Sequence, residues 1–371
     1  NWYLAVKTTL GNIRFEKHEF CPSVYKANFN GYSILIGAFV DDLVIMSENL
    51  ATNQEIVNKL RESFEIKVLT ETDGDSTVFD VLGLQVTQYW KKKFTVSCSK
   101  YIEDVIKRWE PGEGEKPRES KLLLPGVENN YFDPNTNELQ LNEKEYKKKV
   151  KELQAIVGCL SYIAQRTRTD ILYYVNAIAR YTLYPHKNVF KMCYRMLEYL
   201  GKTKNECLEI RRCEKRIPEL VVYTDASFAM QPKYKSQVGF IIYFNGNPVW
   251  AKSSTAKLTA QSSTEAELFA ASLAHNTSIM IKRVLEFMGE KVETIRMLSD
   301  SDSMIMLIKQ EYTKMRTKFV GIRLESIKDT VNTGEMVINH VAGEMNVADI
   351  LTKPALSKVF ENHRRKLMGC W

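Results

Sequence analysis

The sequence lacks the marks of several common protein classes. Its seven cysteines, Cys21, Cys98, Cys159, Cys193, Cys207, Cys213 and Cys370, are scattered and form no Cys-x-x-Cys pair. No histidine accompanies Cys207 and Cys213, so zinc-ligand spacing is missing. An odd, dispersed set fits free thiols in a reducing compartment. No apolar run approaches a bilayer span, and no signal-peptide pattern opens the chain. There is no internal repeat. The first residue is Asn1 and not methionine, from which a fragment or processed product is expected.

What remains is ordinary in bulk composition. At 371 residues the chain is long for one core, and two or three compact units are expected. Its 44% hydrophobic and 26% charged residues are those of a globular protein. The net charge of +7 is a modest excess that favours a polyanionic partner without requiring one. Basic residues cluster at Lys147–Lys149 with Lys151, at Arg166 and Arg168, at Arg211 and Arg212, and at His363–Lys366. Each cluster reads equally as a solvated helix face.

Periodicity divides the chain further. From Gly31 to about Val86 the pattern is hairpin, helix (Thr52 to Phe64) and strand, with Ile56, Val57, Leu60 and Phe64 at helical spacing. Ser99 to Trp109 reads as an amphipathic helix with Tyr101, Ile102, Val105 and Ile106 inward. Residues 110–140 read as a long surface loop, rich in Pro, Gly, Glu and Asn. Helices are expected from Glu143 to about Leu200, broken near Pro185, with an apolar stripe from Val150 to Ala164. Residues 202–217 read as a charged linker. Strands at 219–224, Val238 to Phe244 and Val249 to Lys252 follow, the last two joined through Asn245-Gly246-Asn247. Asn-Gly between apolar runs is a strong hairpin signal. Helices and two more strands complete the chain.

The most informative residues are four acids in this last region. Asp225 ends the apolar run Leu220–Tyr223 in Tyr-Thr-Asp-Ala-Ser. Glu267 falls in the first turns of a helix opened by Ser-Ser-Thr-Glu-Ala-Glu-Leu. Asp300 follows the apolar stretch Ile295–Leu298, and Asp349 stands at the start of the next expected helix in Asn-Val-Ala-Asp-Ile-Leu-Thr-Lys-Pro. Any one of them alone reads as a surface acid or helix cap; Glu265 competes with Glu267, and Asp302 with Asp300. Carboxylates drawn together repel one another, and a shared cation allows all of them to ionise. Far upstream, Ile34 to Met46 is two apolar half-strands joined through Asp41-Asp42.

Phe-Val-Asp-Asp, Val-Leu-Gly-Leu-Gln at 81–85, Arg-Thr-Arg-Thr-Asp-Ile at 166–171 and the four later acids occur in an order that resembles a copia-type, Ty-like long-terminal-repeat retrotransposon Pol polyprotein. The resemblance covers essentially the whole chain. It implies an α+β protein with half of a reverse transcriptase palm (residues 1–95), mainly helical thumb and connection (96–205) and a ribonuclease H domain with a mixed five-stranded sheet (206–371). Its site residues transfer to Asp225, Glu267, Asp300 and Asp349 as ligands of two Mg²⁺ or Mn²⁺ ions, about 3.5–4 Å apart in such sites. Asp41 and Asp42 would be polymerase metal ligands, and Gly83 would belong to a hairpin that grips the primer, though those residues alone read as a plain strand. Arg166 and Arg168, with the carboxy-terminal basic helix, would meet backbone phosphates.

Further expectations come with the family. The partners implied are RNA–DNA hybrid, DNA duplex, the upstream polymerase half and integrase, with no membrane involved. The setting implied is a cytoplasmic virus-like particle with access to the nucleus. A palm also needs a third carboxylate from an earlier strand, so no DNA synthesis is expected from these residues alone. His340, at a strand end, reads as structural or substrate-facing. A non-catalytic nucleic-acid-binding module that keeps its acids by inheritance is the alternative, and hybrid hydrolysis separates the two.

Overall fold

Apolar residues recur at strand or helix spacing along most of the chain, and the elements follow them. The computed structural model describes residues 2–73, 75–90, 92–109, 139–213, 217–310, 318–354 and 357–370. Contacts divide it into two units: Asn1–Trp90 with Ile279–Val292, and Lys91–Ser278 with Glu293–Trp371.

The first unit opens with helix α1 (Trp2–Asn12) and an antiparallel sheet in the order β1 (Glu16–Lys17), β2 (Val24–Phe29), β3 (Tyr32–Phe39), β4 (Asp42–Met46). Helix α2 (Leu50–Arg61) follows, then antiparallel strands β5 (Thr70–Asp73), β6 (Ser76–Val81) and β7 (Leu84–Tyr89). Asn49 starts α2 by accepting from the Thr52 amide at 3.2 Å, which satisfies an otherwise orphaned donor. Ile56 and Leu60, one helical turn apart, then join Ile34 and Ile36 in a core with Val6 and Leu10. Segment 81–86 is a hairpin: Leu82 and Gly83 both have positive φ, 54° and 71°, as a tight two-residue turn demands.

The second unit begins with β8 (Lys93–Ser97) and α3 (Ser99–Arg108), where Ile102 and Val105 are buried and Tyr101 and Ile106 half-buried. The expected loop at 110–140 falls, up to residue 138, outside the described residues. Helices α4 (Glu143–Arg166), α5 (Leu172–Ala179) and α6 (Lys187–Lys202) follow, and Asn142 and Glu145 cap α4 reciprocally. The stripe from Leu153 to Ala164 is buried as expected, with Val150 half-buried. The expected linker at 202–217 instead contains strand β9 (Leu208–Arg211), antiparallel to β8. Charged neighbours mask the alternation of Leu208 and Ile210, and Lys93 pairs with Glu209 across the two strands at 3.0 Å.

The remaining strands are β10 (Leu220–Gln231), β11 (Lys235–Phe244), β12 (Asn247–Thr255), β13 (Ile295–Ser299) and β14 (Met336–His340). Their spatial order is β12-β11-β10-β13-β14, antiparallel up to β10 and parallel beyond it. The expected α+β class with a mixed five-stranded sheet is what forms. Helices α7 (Ser263–Met288), α8 (Asp302–Lys309), α9 (Lys318–Asn332) and α10 (Ser357–Leu367) accompany it, only the end of α7 from Ile279 grouping with the first unit. Asp349 departs from expectation: it lies in a 3₁₀ turn, Val347–Leu351, and α10 begins only at Ser357. Pro354 disfavours helical backbone at Lys353, so the turn does not run on toward α10. None of the seven cysteines is in a disulfide, and among the described residues no helix is long and apolar enough to cross a membrane.

Candidate functional site

Strand register brings two of the acids together. Tyr223 of β10 pairs in parallel with Leu298 of β13, so Asp225 and Asp300, each two residues further on, emerge side by side. Both stand just past the last pair of the parallel β10–β13 ladder, although β10 itself runs on beyond Asp225 to Gln231. Gly239 lies opposite Asp225, and a Cβ there would come within 2.8 Å of the Leu351 and Thr352 side chains. Its bare backbone lets the 3₁₀ turn lie on the strand and deliver Asp349. Oxygens of Asp225, Asp300 and Asp349 all fall within 4.8 Å of one another. Glu267 reaches in from α7, accepting from the Ala226 amide at 3.3 Å. Glu265 points elsewhere and caps the helix start by accepting from the Gln261 amide at 2.6 Å. Asp302 is largely exposed, with His340 Nε2 3.9 Å away.

Crowding of like charges shows in the protonation behaviour. Burial, then Asp349 and Asp300, push Asp225 up to about 7, against Lys353 and Thr352. Burial, then Asp225 and Asp300, push Glu267 up to about 9. Asp349 is also raised, chiefly by burial, against the pull of Lys353. Glu267 Oε2 and Asp349 Oδ1 are buried without a hydrogen-bond partner. Such oxygens are uncommon, and a cation satisfies them. This all-oxygen donor set therefore fits a hard divalent ion.

The other acids sit at a hairpin tip in the first unit. Phe39 pairs with Asp42 across β3 and β4, leaving Val40 and Asp41 as the turn. Val40 has a φ of 47°, strained for a β-branched residue, and the Trp2 indole donates to its carbonyl. Asp42 Oδ2 accepts from the Leu82 amide at 3.3 Å, which ties this tip to the turn containing Gly83. Among the described residues, no third carboxylate joins Asp41 and Asp42.

One expected contact is corrected. Arg168 is fully buried, with Nε and Nη2 donating to both oxygens of Asp170 at 3.0 and 2.7 Å. It also donates to Thr203, and the Tyr199 hydroxyl donates to Asp170 at 2.6 Å. A guanidinium so enclosed cannot reach a phosphate; it locks the end of α4 to α6. Arg166, two residues earlier, is exposed with its guanidinium 5.7 Å from the Tyr162 ring. In the carboxy-terminal helix His363 is buried and Arg364 pairs with Glu361 at 2.8 Å, while Arg365 is exposed. Lys147 and Lys149 pair with Glu143 and Glu152 of their own helix, the solvated-face arrangement.

Residues 1–115 match the reverse transcriptase (RNA-dependent DNA polymerase) family. The chain is 31% identical over 366 residues, 97% of its length, to the Transposon Ty1-DR1 Gag-Pol polyprotein of Saccharomyces cerevisiae. Against the Ty1-GR1 polyprotein the identity is 32% over 370 residues. Nearly the whole length of this chain thus corresponds to a region of the copia-type, Ty1-like Pol polyproteins. It spans 20% of the length of each of those relatives. Among solved structures, this Pol region is similar to the LC11 ribonuclease H1 isolated from compost, at 19% identity and a TM-score of 0.29, over 39% of this chain and 96% of that one. It is also similar to the foamy viral protease-reverse transcriptase in complex with dsDNA, at 16% identity and 0.44, over 92% and 58%.

Four residues at the Pol region's carboxylate site escaped the sequence reading. Asn346 Nδ2 donates to Asp300 at 3.2 Å and to the Thr224 carbonyl at 3.0 Å. Thr352 donates to Asp225, Lys353 pairs with Asp349 at 3.0 Å, and Gly239 admits the turn. Three of these flank Asp349 in the motif itself, and short polar residues bracketing a carboxylate are the signal that marks them.

Proposed function

We propose that this chain is the carboxy-terminal part of a retrotransposon reverse transcriptase, in which residues 206–371 hydrolyse the RNA strand of RNA–DNA hybrids. Residues 1–95 are then the second half of a polymerase palm, and residues 96–205 the thumb and connection. The observation that carries this reading is the meeting of Asp225, Asp300 and Asp349 within 4.8 Å. Two Mg²⁺ or Mn²⁺ ions, held by these three and Glu267, would activate the attacking water and stabilise the leaving 3′ oxygen. Asp225, the most central acid, would serve both. Asn346 and Thr352 keep the Asp300 and Asp225 oxygens oriented before substrate arrives, so little reorganisation is left for the reaction.

The test is a labelled hybrid incubated with the folded chain and Mg²⁺ or Mn²⁺. We expect the RNA strand to be cut, cutting to stop on chelation, and no primer to be extended. Two palm carboxylates without a third leave the polymerase ions and the primer end unplaced for in-line transfer. A hybrid left intact would defeat the nuclease reading; primer extension would defeat the palm reading of Asp41 and Asp42.

Partners in this reading are hybrid and duplex, the upstream polymerase half and integrase, inside a virus-like particle. Gly83 lies in the turn proposed to grip the primer. Arg166 is proposed to contact a phosphate. Arg166→Glu should weaken binding equally for unrelated duplex sequences and lower the salt slope of log K by about 1. A loss confined to one sequence would contradict a phosphate contact.

A further inference from the structure

The carboxylate site carries a cation of its own. Lys353 follows Asp349 by four residues, and its Nζ lies 3.0 Å from Asp349 Oδ2. Its backbone amide donates to the Asp349 carbonyl at 3.1 Å, so its root is fixed beside the acids. Its side chain is 46% exposed, with solvent beside it. The charge of Lys353 acts on Asp225 and Glu267 as well as Asp349. Yet Asp349 Oδ1 and Glu267 Oε2 stay buried without partners, so one ammonium compensates only part of the site.

We propose that Lys353 is a counter-cation built into this site, holding Asp349 while no divalent ion is bound and releasing it as one loads. The inference rests on the metal-site reading above and adds the residue that sets the divalent concentration at which the site fills. An ammonium is a compact point charge on a flexible stem; it relieves repulsion but cannot bridge several carboxylates as a divalent ion does. Being half exposed, it gives way at small cost.

Mn²⁺ binding measured by calorimetry without nucleic acid tests this, alongside thermal unfolding in chelator. Lys353→Met should bind Mn²⁺ about three- to tenfold more tightly than wild type, the loss of one partly exposed ion pair. Its metal-free form should unfold at a lower temperature, because Asp349 Oδ2 loses its ammonium partner. Lys353→Arg, which keeps the charge, should stay near wild type in both measurements. Unchanged or weaker Mn²⁺ binding by Lys353→Met would overturn the proposal, including where its unfolding temperature falls, since that pattern describes a merely structural ion pair. Wild type that binds no Mn²⁺ would instead overturn the metal-site reading itself, and this proposal with it.

Discussion

Arg168→Ala should destabilise the second unit by about 3–5 kcal/mol, the usual cost of removing one partner from a buried ion pair. The substitution leaves Asp170 fully buried with the Tyr199 hydroxyl as its remaining side-chain donor, and removes the bonds to Thr203. Burial alone would raise the Asp170 carboxyl, but Arg168 and Tyr199 outweigh it and hold the group below its ordinary value. A depressed carboxyl contributes stability above its unfolded pKa, and that contribution is lost as pH falls through the folded value. The effect of the substitution should therefore be full at neutral pH. Arg168→Lys should fall between, because an ammonium cannot reproduce the two-pronged contact. Replacing Arg168 and Asp170 together with apolar residues should cost far less than Arg168→Ala. Thermal unfolding measures all three, and an alanine variant as stable as wild type would contradict the assignment.

Asp225→Asn should lower hybrid cleavage by roughly three orders of magnitude or more, since it weakens both proposed ions together. Its effect on folding should run the other way. Burial and two neighbouring carboxylates disfavour the ionised Asp225, so removing that charge should leave the unfolding temperature unchanged or higher. Asn retains an oxygen for the Thr352 hydroxyl, which keeps that contact available. Lost activity with retained stability is the signature of a group kept for chemistry. A variant that loses both in proportion would point to a structural role.

Several features were legible because they are local. Asp225 and Asp300 each close an apolar run, and Asn245-Gly246 announces its own turn. The parallel register of Tyr223 with Leu298 was not legible, because pairing across some seventy residues leaves no periodic trace. Arg168 was misread for a related reason. Helix α4 ends at Arg166, so Arg168 leaves the helical period and turns inward while Arg166 stays out. Asp170, two residues on, was the available clue to its partner. Strand β9 was hidden by charge, its two apolar residues being too few to outweigh their neighbours. Glu265 and Glu267 lie on different sides of one helix, and the capping contact at Glu265 separates them.

In the proposed function the acids of the second unit, and not the Asp41–Asp42 pair, cut the RNA of a hybrid. Single-turnover cleavage of an end-labelled RNA–DNA hybrid in Mn²⁺ by wild type, Asp41→Asn and Asp225→Asn, each first shown to be folded, separates the two sites. Wild type and Asp41→Asn should cut at similar rates and Asp225→Asn should not cut measurably. Cleavage that survives Asp225→Asn, or that disappears with Asp41→Asn, would contradict the account.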